Sequence, residues 1–225
     1  MTDCVLFDLD GTLVDTAEDF FVAINNLRRE LNLKPVAKQL VQTEVSNGAA
    51  ALVLAAFNID TNDKQFDTLK QGLLEHYQQV LGQYAPLYDG IPQTLDWLQQ
   101  HAIPWGIVTN KPLRFAQPLL AKLKLEQNCA VLICPEDVSN TKPNPEPLLL
   151  ACTRLQCDSK KSVYIGDHLR DITAGRAAGM HTIAAAYGYI STQEDLNAWQ
   201  ADIIVDHPAQ LVDAIGSIHS QHLAD

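Results

Sequence analysis

Val5-Leu6-Phe7-Asp8-Leu9-Asp10-Gly11-Thr12-Leu13-Val14-Asp15 is the stretch that decides how the rest of this chain is read. An apolar run of β-formers ends in two carboxylates separated by one leucine, then Gly-Thr, the pattern of a strand opening into a turn. Side chains alternate faces along a strand, so Asp8 and Asp10 lie on the same side. Two anions that close repel, and such a pair persists when a cation, a shared proton or a ligand relieves it. A solvated Asp-Gly turn is the plainer reading of the segment on its own.

Downstream, Thr16-Ala17-Glu18-Asp19 has the form of a capping box with Thr16 as N-cap. Apolar residues at helical spacing follow in four groups: Phe20, Ile24, Leu27, Leu31; then Val36, Leu40, Val41, Val45; then Ala50, Val53, Leu54, Phe57; then Phe66, Leu69, Leu73, Tyr77, Val80, Leu81. Ser46-Asn47-Gly48 marks a break between the second and third. A crossover between parallel strands needs only one helix, so residues 16–87 read as an inserted helical domain. From Asp89 the rhythm changes. The strands Trp105–Thr109, Ala130–Cys134, Ser162–Gly166, His181–Ala185 and Ile203–Val205 alternate with helices, three of them carrying Pro92, Pro112 or Pro145 near their start. Residues 1–15 and 88–225 are therefore expected to form an α/β domain with a mostly parallel sheet covered by helices on both faces.

Composition narrows the function classes. A hydrophobic fraction of 47% with 19% charged residues is that of a folded globular chain. A formal net charge of −11 argues against a nucleic-acid partner or an anionic membrane surface. Met1-Thr2-Asp3-Cys4 has neither the basic leader nor the apolar core of a signal peptide, and no apolar run approaches the roughly 18 residues of a membrane helix. The five cysteines include no Cys-x-x-Cys pair and read as reduced thiols of a cytoplasmic protein. Cys152 and Cys157 match no zinc spacing, and Cys152 suits an apolar helix face.

Ligands of open α/β sheets bind beyond the carboxyl ends of the strands. The residues expected there are Asp8 and Asp10, Thr109-Asn110-Lys111, and Asp167 and Asp171, with Lys142 in the proline-stiffened loop Asn140–Pro147. Four clustered aspartates call for a hard divalent cation, and Mg²⁺ is the usual choice beside phosphate. Together with a lysine and a threonine hydroxyl, the set suits phosphoryl transfer through a carboxylate nucleophile, with a neighbouring carboxyl moving the proton.

Asp8-Leu9-Asp10-Gly11-Thr12, Thr109, Lys142 and Gly166-Asp167-His168-Leu169-Arg170-Asp171 stand in the order of the four motifs of the haloacid dehalogenase-like hydrolases, and the chain resembles that family along its whole length. The resemblance implies a Rossmann-like core with a helical cap, Asp8 as nucleophile and Asp10 as general acid and then base. It implies Mg²⁺ held by the Asp8 carboxylate, the Asp10 main-chain carbonyl and Asp167, with Asp171 supporting the site. Thr109 and Lys142 would bind the phosphoryl group, and Gly11, Thr12, Asn110 and Lys111 beside these motifs are candidate substrate contacts. Members that cleave carbon–halogen bonds lack an acid at the position of Asp10, so its presence points to phosphate chemistry.

Within the family the chain is most similar to phosphoglycolate phosphatases. Val108-Thr109-Asn110-Lys111-Pro112, Leu132-Ile133-Cys134-Pro135, Gly188-Tyr189-Ile190 and Val205-Asp206-His207-Pro208 look especially like the bacterial N-acetylmuramic acid 6-phosphate phosphatases of cell-wall recycling. The implied substrate is a small phosphorylated metabolite and the implied state a monomer or homodimer. A sugar phosphomutase using the same aspartyl-phosphate and a non-catalytic receiver-like module are the rival readings. Ser46, Asn47 and Gly48 are candidate substrate contacts in the cap, since backbone amides at a helix start hold anions or hydroxyls. His168 and Asn144 depart from the usual residues at their motif positions. For His168 a structural role is expected rather than metal ligation.

Overall fold

In chain order, strand β1 (Val5–Phe7) is followed by helices α1 (Ala17–Glu30), α2 (Lys38–Glu44), α3 (Gly48–Phe57) and α4 (Phe66–Val80). Then come α5 (Ile91–Gln100), β2 (Trp105–Val108), α6 (Leu113–Lys122), β3 (Val131–Ile133), α7 (Glu146–Leu155), β4 (Val163–Gly166), α8 (Leu169–Ala177), β5 (His181–Ala185), β6 (Ile203–Val205) and α9 (Leu211–Ala224). This is a computed structural model that describes residues 2–190 and 194–224; Met1, residues 191–193 and Asp225 lie outside the described residues. The chain divides into two compact units, Met1–Val14 with Leu87–Asp225, and Asp15–Pro86.

The first unit is built on a six-stranded sheet of order β3-β2-β1-β4-β5-β6, every pairing parallel. The chain moves outward from β1 through β2 to β3, then returns to place β4 on the other side of β1. Strand order thus reverses between β1 and β4, the kind of switch point at which a crevice opens beyond the carboxyl ends. Leu6, Val108 and Tyr164 face one side, packed with Leu148, Ala151 and Cys152 of α7 and Ala174 of α8. Val5, Phe7, Ile107 and Ile165 point to the opposite face and are also fully buried, so both faces are covered, as parallel sheets require.

The helical unit is held by α1 against α4, where the Phe20 and Tyr77 rings stack at 4.0 Å. On α4, Leu69, Leu73, Tyr77 and Val80 are buried, the face that helical spacing predicts. On α1 the stripe stops at Leu27, and Leu31 is exposed. The Thr16 side chain makes no capping bond; Asp15 Oδ1 accepts from Ala17 N at 3.2 Å instead. The capping-box reading is therefore corrected by one residue, since Thr16 is fully buried and Asp15 is the side chain that reaches the amide.

Asp19 carries a second structural role. Its carboxylate is buried inside the first turn of α1 and accepts from Gly82 N at 2.5 Å and Tyr84 N at 2.8 Å. It thereby ties the start of the unit to its end. The expectation of no long apolar run also needs revision, because α2, a 3₁₀ turn at Val45–Asn47 and α3 run on from one another. The stretch Lys38–Phe57 is 20 residues long, and an 18-residue window within it reaches a mean hydropathy of 1.3, long and apolar enough by length and composition to span a bilayer. Ser46-Asn47-Gly48 interrupts it in sequence, and Gly48 at φ 85° takes the backbone out of helical geometry there.

Asp19→Ala leaves two amides without an acceptor and is expected to lower the unfolding free energy by about 2–4 kcal/mol. Urea melts of the full chain measure this, and a change below about 0.5 kcal/mol would show that the tie contributes nothing.

Candidate active site

Register places the polar groups. Phe7 pairs with Ile107 of β2 and Ile165 of β4, so Asp8 comes level with Val108 and Gly166. Thr109 and Asp167 stand one residue beyond it on either side. Asp8, Asp167 and Asp171 each offer a carboxylate oxygen, these atoms all lie within 4.8 Å of one another, and all three residues are buried.

Lys142 is the cation set among them. Its Nζ donates to Asp171 Oδ1 at 2.7 Å, Tyr164 Oη at 2.8 Å and the Val108 carbonyl at 2.9 Å. It also forms an ion pair with Asp8 Oδ1 at 3.0 Å. Burial pushes its pKa down, but the facing Asp171 and Asp8 outweigh that and hold it above the ordinary lysine value. The backbone of Lys142 is fixed by Asn110, whose Nδ2 donates to the Lys142 carbonyl at 3.0 Å and whose Oδ1 accepts from Lys142 N at 3.2 Å. Asn110, expected to touch substrate, thus joins two loops.

Asp167 is clamped in the turn after β4. Thr12 Oγ1 donates to its Oδ1 at 3.1 Å and Tyr189 N to its Oδ2 at 3.0 Å. Burial, then the charges of Asp8 and Asp171, raise its pKa to about 8. Gly11 has φ 81°, and a Cβ there would lie 2.1 Å from Asp167 Oδ2, so this position needs a glycine for both reasons. At Gly166 a Cβ would come within 2.4 Å of Asp171 Cβ. Asp171 is gripped from the other side by His168 N, which donates to Oδ2 at 3.1 Å. The His168 ring accepts from Arg170 N through Nδ1 at 3.1 Å and so caps α8.

Asp10 is turned away from this cluster. Its carboxylate accepts two bonds from Lys111 Nζ, at 2.9 and 3.1 Å, and its side chain is 18% exposed. Thr109, buried beside it, accepts from Lys111 N through Oγ1 at 3.1 Å. Lys111 is therefore engaged with Asp10, while Arg114 is exposed. Ser46, Asn47 and Gly48 belong to the helical unit, where Asn47 Nδ2 donates to Glu44 at 3.3 Å.

Two members of the site escape sequence reasoning. Tyr164 sits in the middle of β4 as one more β-former, yet its buried hydroxyl accepts from Lys142 and lies 3.0 Å from the Val108 carbonyl and 3.2 Å from Asp171 Oδ1. The Lys111–Asp10 pair spans 101 residues, and no local pattern announces it. A tyrosine inside an otherwise aliphatic buried strand is the one available signal, because a phenol buried there must find a partner.

Chemically, the site sets a carboxylate with a cation against it, a cluster of hard oxygens able to hold a metal ion, and a partly exposed second carboxylate. A family model described as haloacid dehalogenase-like hydrolase matches residues 5–185. The chain is 45% identical to the N-acetylmuramic acid 6-phosphate phosphatase of Pseudomonas aeruginosa, covering 94% of this chain and 93% of that protein. It is 41% identical to the phosphoglycolate phosphatase of Xanthomonas campestris pv. campestris, covering 92% and 93%. Among solved structures, a predicted phosphoglycolate phosphatase from Haemophilus somnus 129pt superposes with a TM-score of 0.83 at 26% identity, covering 94% of this chain and 97% of that one.

Lys142→Met leaves Asp8 and Asp171 facing each other without a cation, and is expected to cost about 3–5 kcal/mol of stability in urea melts near neutral pH. Tyr164→Phe removes one acceptor from Lys142 and is expected to cost about 1–3 kcal/mol in the same measurement. Equal stability of both variants with the parent chain would mean that the network carries no folding energy.

Proposed function

The chain belongs to the haloacid dehalogenase-like hydrolases and is a phosphatase, and we propose that it hydrolyses a small phosphomonoester with Mg²⁺, through an aspartyl-phosphate on Asp8. The single observation carrying this reading is the convergence of the Asp8, Asp167 and Asp171 oxygens within 4.8 Å around an ammonium 3.0 Å from Asp8. The donor set fits a small hard cation. With all four aspartates ionised, which for Asp167 requires the ion to displace the proton that its raised pKa favours, Lys111 and Lys142 leave a charge of about −2, which one divalent ion cancels. Asp8, the Asp10 carbonyl and Asp167 would hold it. Asp171, with both oxygens already engaged, supports from behind. When bound, the ion offsets the charge of the phosphoryl oxygens as Asp8 approaches.

In this reading Asp8 attacks phosphorus, and its O–P bond forms as the ester O–P bond breaks. Asp10 protonates the departing alkoxide, then takes a proton from the water that cleaves the acyl phosphate. Lys142 and the Thr109 hydroxyl hold the transferring group in line, and Gly11 and Thr12 shape the turn beneath it. Lys111, paired with Asp10 at 2.9 Å, keeps that carboxylate in place and sets a second positive charge beside it. The proposed substrate is N-acetylmuramic acid 6-phosphate, by likeness to the Pseudomonas aeruginosa relative, with 2-phosphoglycolate as its competitor. We assign the chain to the cytoplasm, a reading that such substrates and the five free thiols support. Selection between esters is assigned to the helical unit, through Ser46, Asn47 and Gly48.

Release of inorganic phosphate from both esters, with and without Mg²⁺, tests the reading. Turnover should fall at least about 10³-fold in Asp8→Asn, vanish with chelator and return with Mg²⁺. Failure of the parent protein to release phosphate from any phosphometabolite would overturn the hydrolase assignment, and a higher kcat/KM for 2-phosphoglycolate would overturn the substrate.

Ser46→Ala or Asn47→Ala should change the ratio of kcat/KM for the two esters by about tenfold while leaving a small generic aryl phosphate unaffected. Equal losses on all three would remove the cap loop from substrate selection.

A further inference from the structure

At the amino ends of the strands, opposite the carboxyl ends that carry Asp8 and Asp167, three thiols meet. Cys4 directly precedes β1, Cys152 lies in the last turns of α7, and Cys157 follows that helix. Their sulfurs lie within 4.8 Å of one another. Cys4 and Cys152 are 0% and 4% exposed, whereas Cys157 is half-buried. The Cys4 and Cys157 sulfurs stand 2.7 Å apart although the residues are separated by 153 positions.

At that distance the two sulfurs are in hydrogen-bond contact, either able to donate, and are close enough for an S–S bond to form with little movement. Thiolates sharing one tetrahedral zinc at about 2.3 Å would stand about 3.8 Å apart, wider than this pair. Among the described residues the cluster contains no histidine or acid. The nearby Ser162 hydroxyl, which accepts from Cys4 at 3.2 Å, is itself committed to the Asp158 carbonyl at 2.7 Å.

We propose that Cys4 and Cys157 are a redox-active pair that closes to an intramolecular disulfide under peroxide and reopens with thiol, locking the first strand to the segment between α7 and β4. Cys157 is the entry point because it alone of the three is partly exposed. Hydrogen bonds from the Cys152 and then the Cys4 thiols pull its pKa below the ordinary thiol value, favouring the nucleophilic thiolate. Its sulfur attacks one oxygen of hydrogen peroxide; an S–O bond forms, the O–O bond breaks, and hydroxide leaves. The Cys4 sulfur then attacks the sulfenic sulfur, the S–S bond forms, the S–O bond breaks, and water departs with the Cys4 proton. Two thiols are oxidised by two electrons and one peroxide is reduced to two waters. Cys152, hydrogen-bonded to Cys157, keeps the thiolate poised without joining the bridge.

The experiment treats the reduced full-length protein with hydrogen peroxide and follows it by intact mass, non-reducing peptide mapping and thermal melting. The expected result is a loss of about 2 Da, a Cys4–Cys157 cross-linked peptide and a Tm higher by at least about 5 °C, since the bridge closes a very long loop. All three should reverse with dithiothreitol. Cys157→Ser should abolish them, and Cys152→Ser should retain the cross-link. A Cys152–Cys157 bridge, conversion of Cys157 to sulfinic acid without a cross-link, or zinc bound in equimolar amount to the protein as purified and protecting these thiols would each overturn the proposal. The parent chain alone distinguishes these outcomes, so a poorly folding variant does not blunt the test.

Discussion

One ammonium group organises the core of this molecule. Lys142 has three N–H bonds to give, and they point at the Val108 carbonyl, the Tyr164 hydroxyl and Asp171 Oδ1. Asp8 Oδ1 stands 3.0 Å from the same ammonium and also accepts from Leu9 N at 2.7 Å. One cation thus faces two of the three buried carboxylates and offsets the repulsion that would otherwise drive them apart.

The form of the sheet lets that ammonium reach four elements at once. Val108 ends β2, Asp8 follows β1, and Tyr164 lies in β4 with Asp171 on the helix after it. Strand order reversal between β1 and β4 opens the crevice, and the loop carrying Lys142 descends into it from beyond β3. The double hydrogen bond of Asn110 to the Lys142 backbone fixes the depth. Glycine at positions 11 and 166 then lets the two aspartate-bearing turns approach to distances that no side chain would permit. Packing, backbone permissiveness and electrostatics all converge on the same few cubic ångströms, which is the consistency expected of a sequence that specifies one fold.

Much of this was legible from residue order. Alternation put Asp8 at a strand end, the helix-strand rhythm after Asp89 gave the parallel sheet, and the excess of helices before it gave the separate unit. What stayed hidden was of two kinds. Tyr164 and Asp19 wear ordinary disguises, a β-former in a strand and an acid in a first helical turn, where propensity explains their presence before function is asked. Lys111 with Asp10, and Cys4 with Cys157, are pairs made by topology, 101 and 153 residues apart. Periodicity speaks only of near neighbours, so it cannot bring such pairs together. Thr16 was misread for a related reason: the capping pattern fits two adjacent residues, and burial of the threonine decides between them.

His168 shows how a departure from a family pattern can be absorbed. To cap α8 its Nδ1 must accept from Arg170 N, so the ring must be neutral with its proton on Nε2. Burial, together with the Arg170 charge, lowers its pKa to about 4, and the neutral form therefore holds across the physiological range. The cap aims the His168 amide at Asp171 Oδ2, leaving Oδ1 to Lys142 and Tyr164. Asn144 follows the same logic at α7, its Oδ1 accepting from Glu146 N at 2.9 Å as a carboxylate oxygen would. In both places the required property is an acceptor aimed at one amide; at His168 a neutral ring supplies it without adding another charge beside Asp167 and Asp171, while at the exposed Asn144 only the acceptor matters.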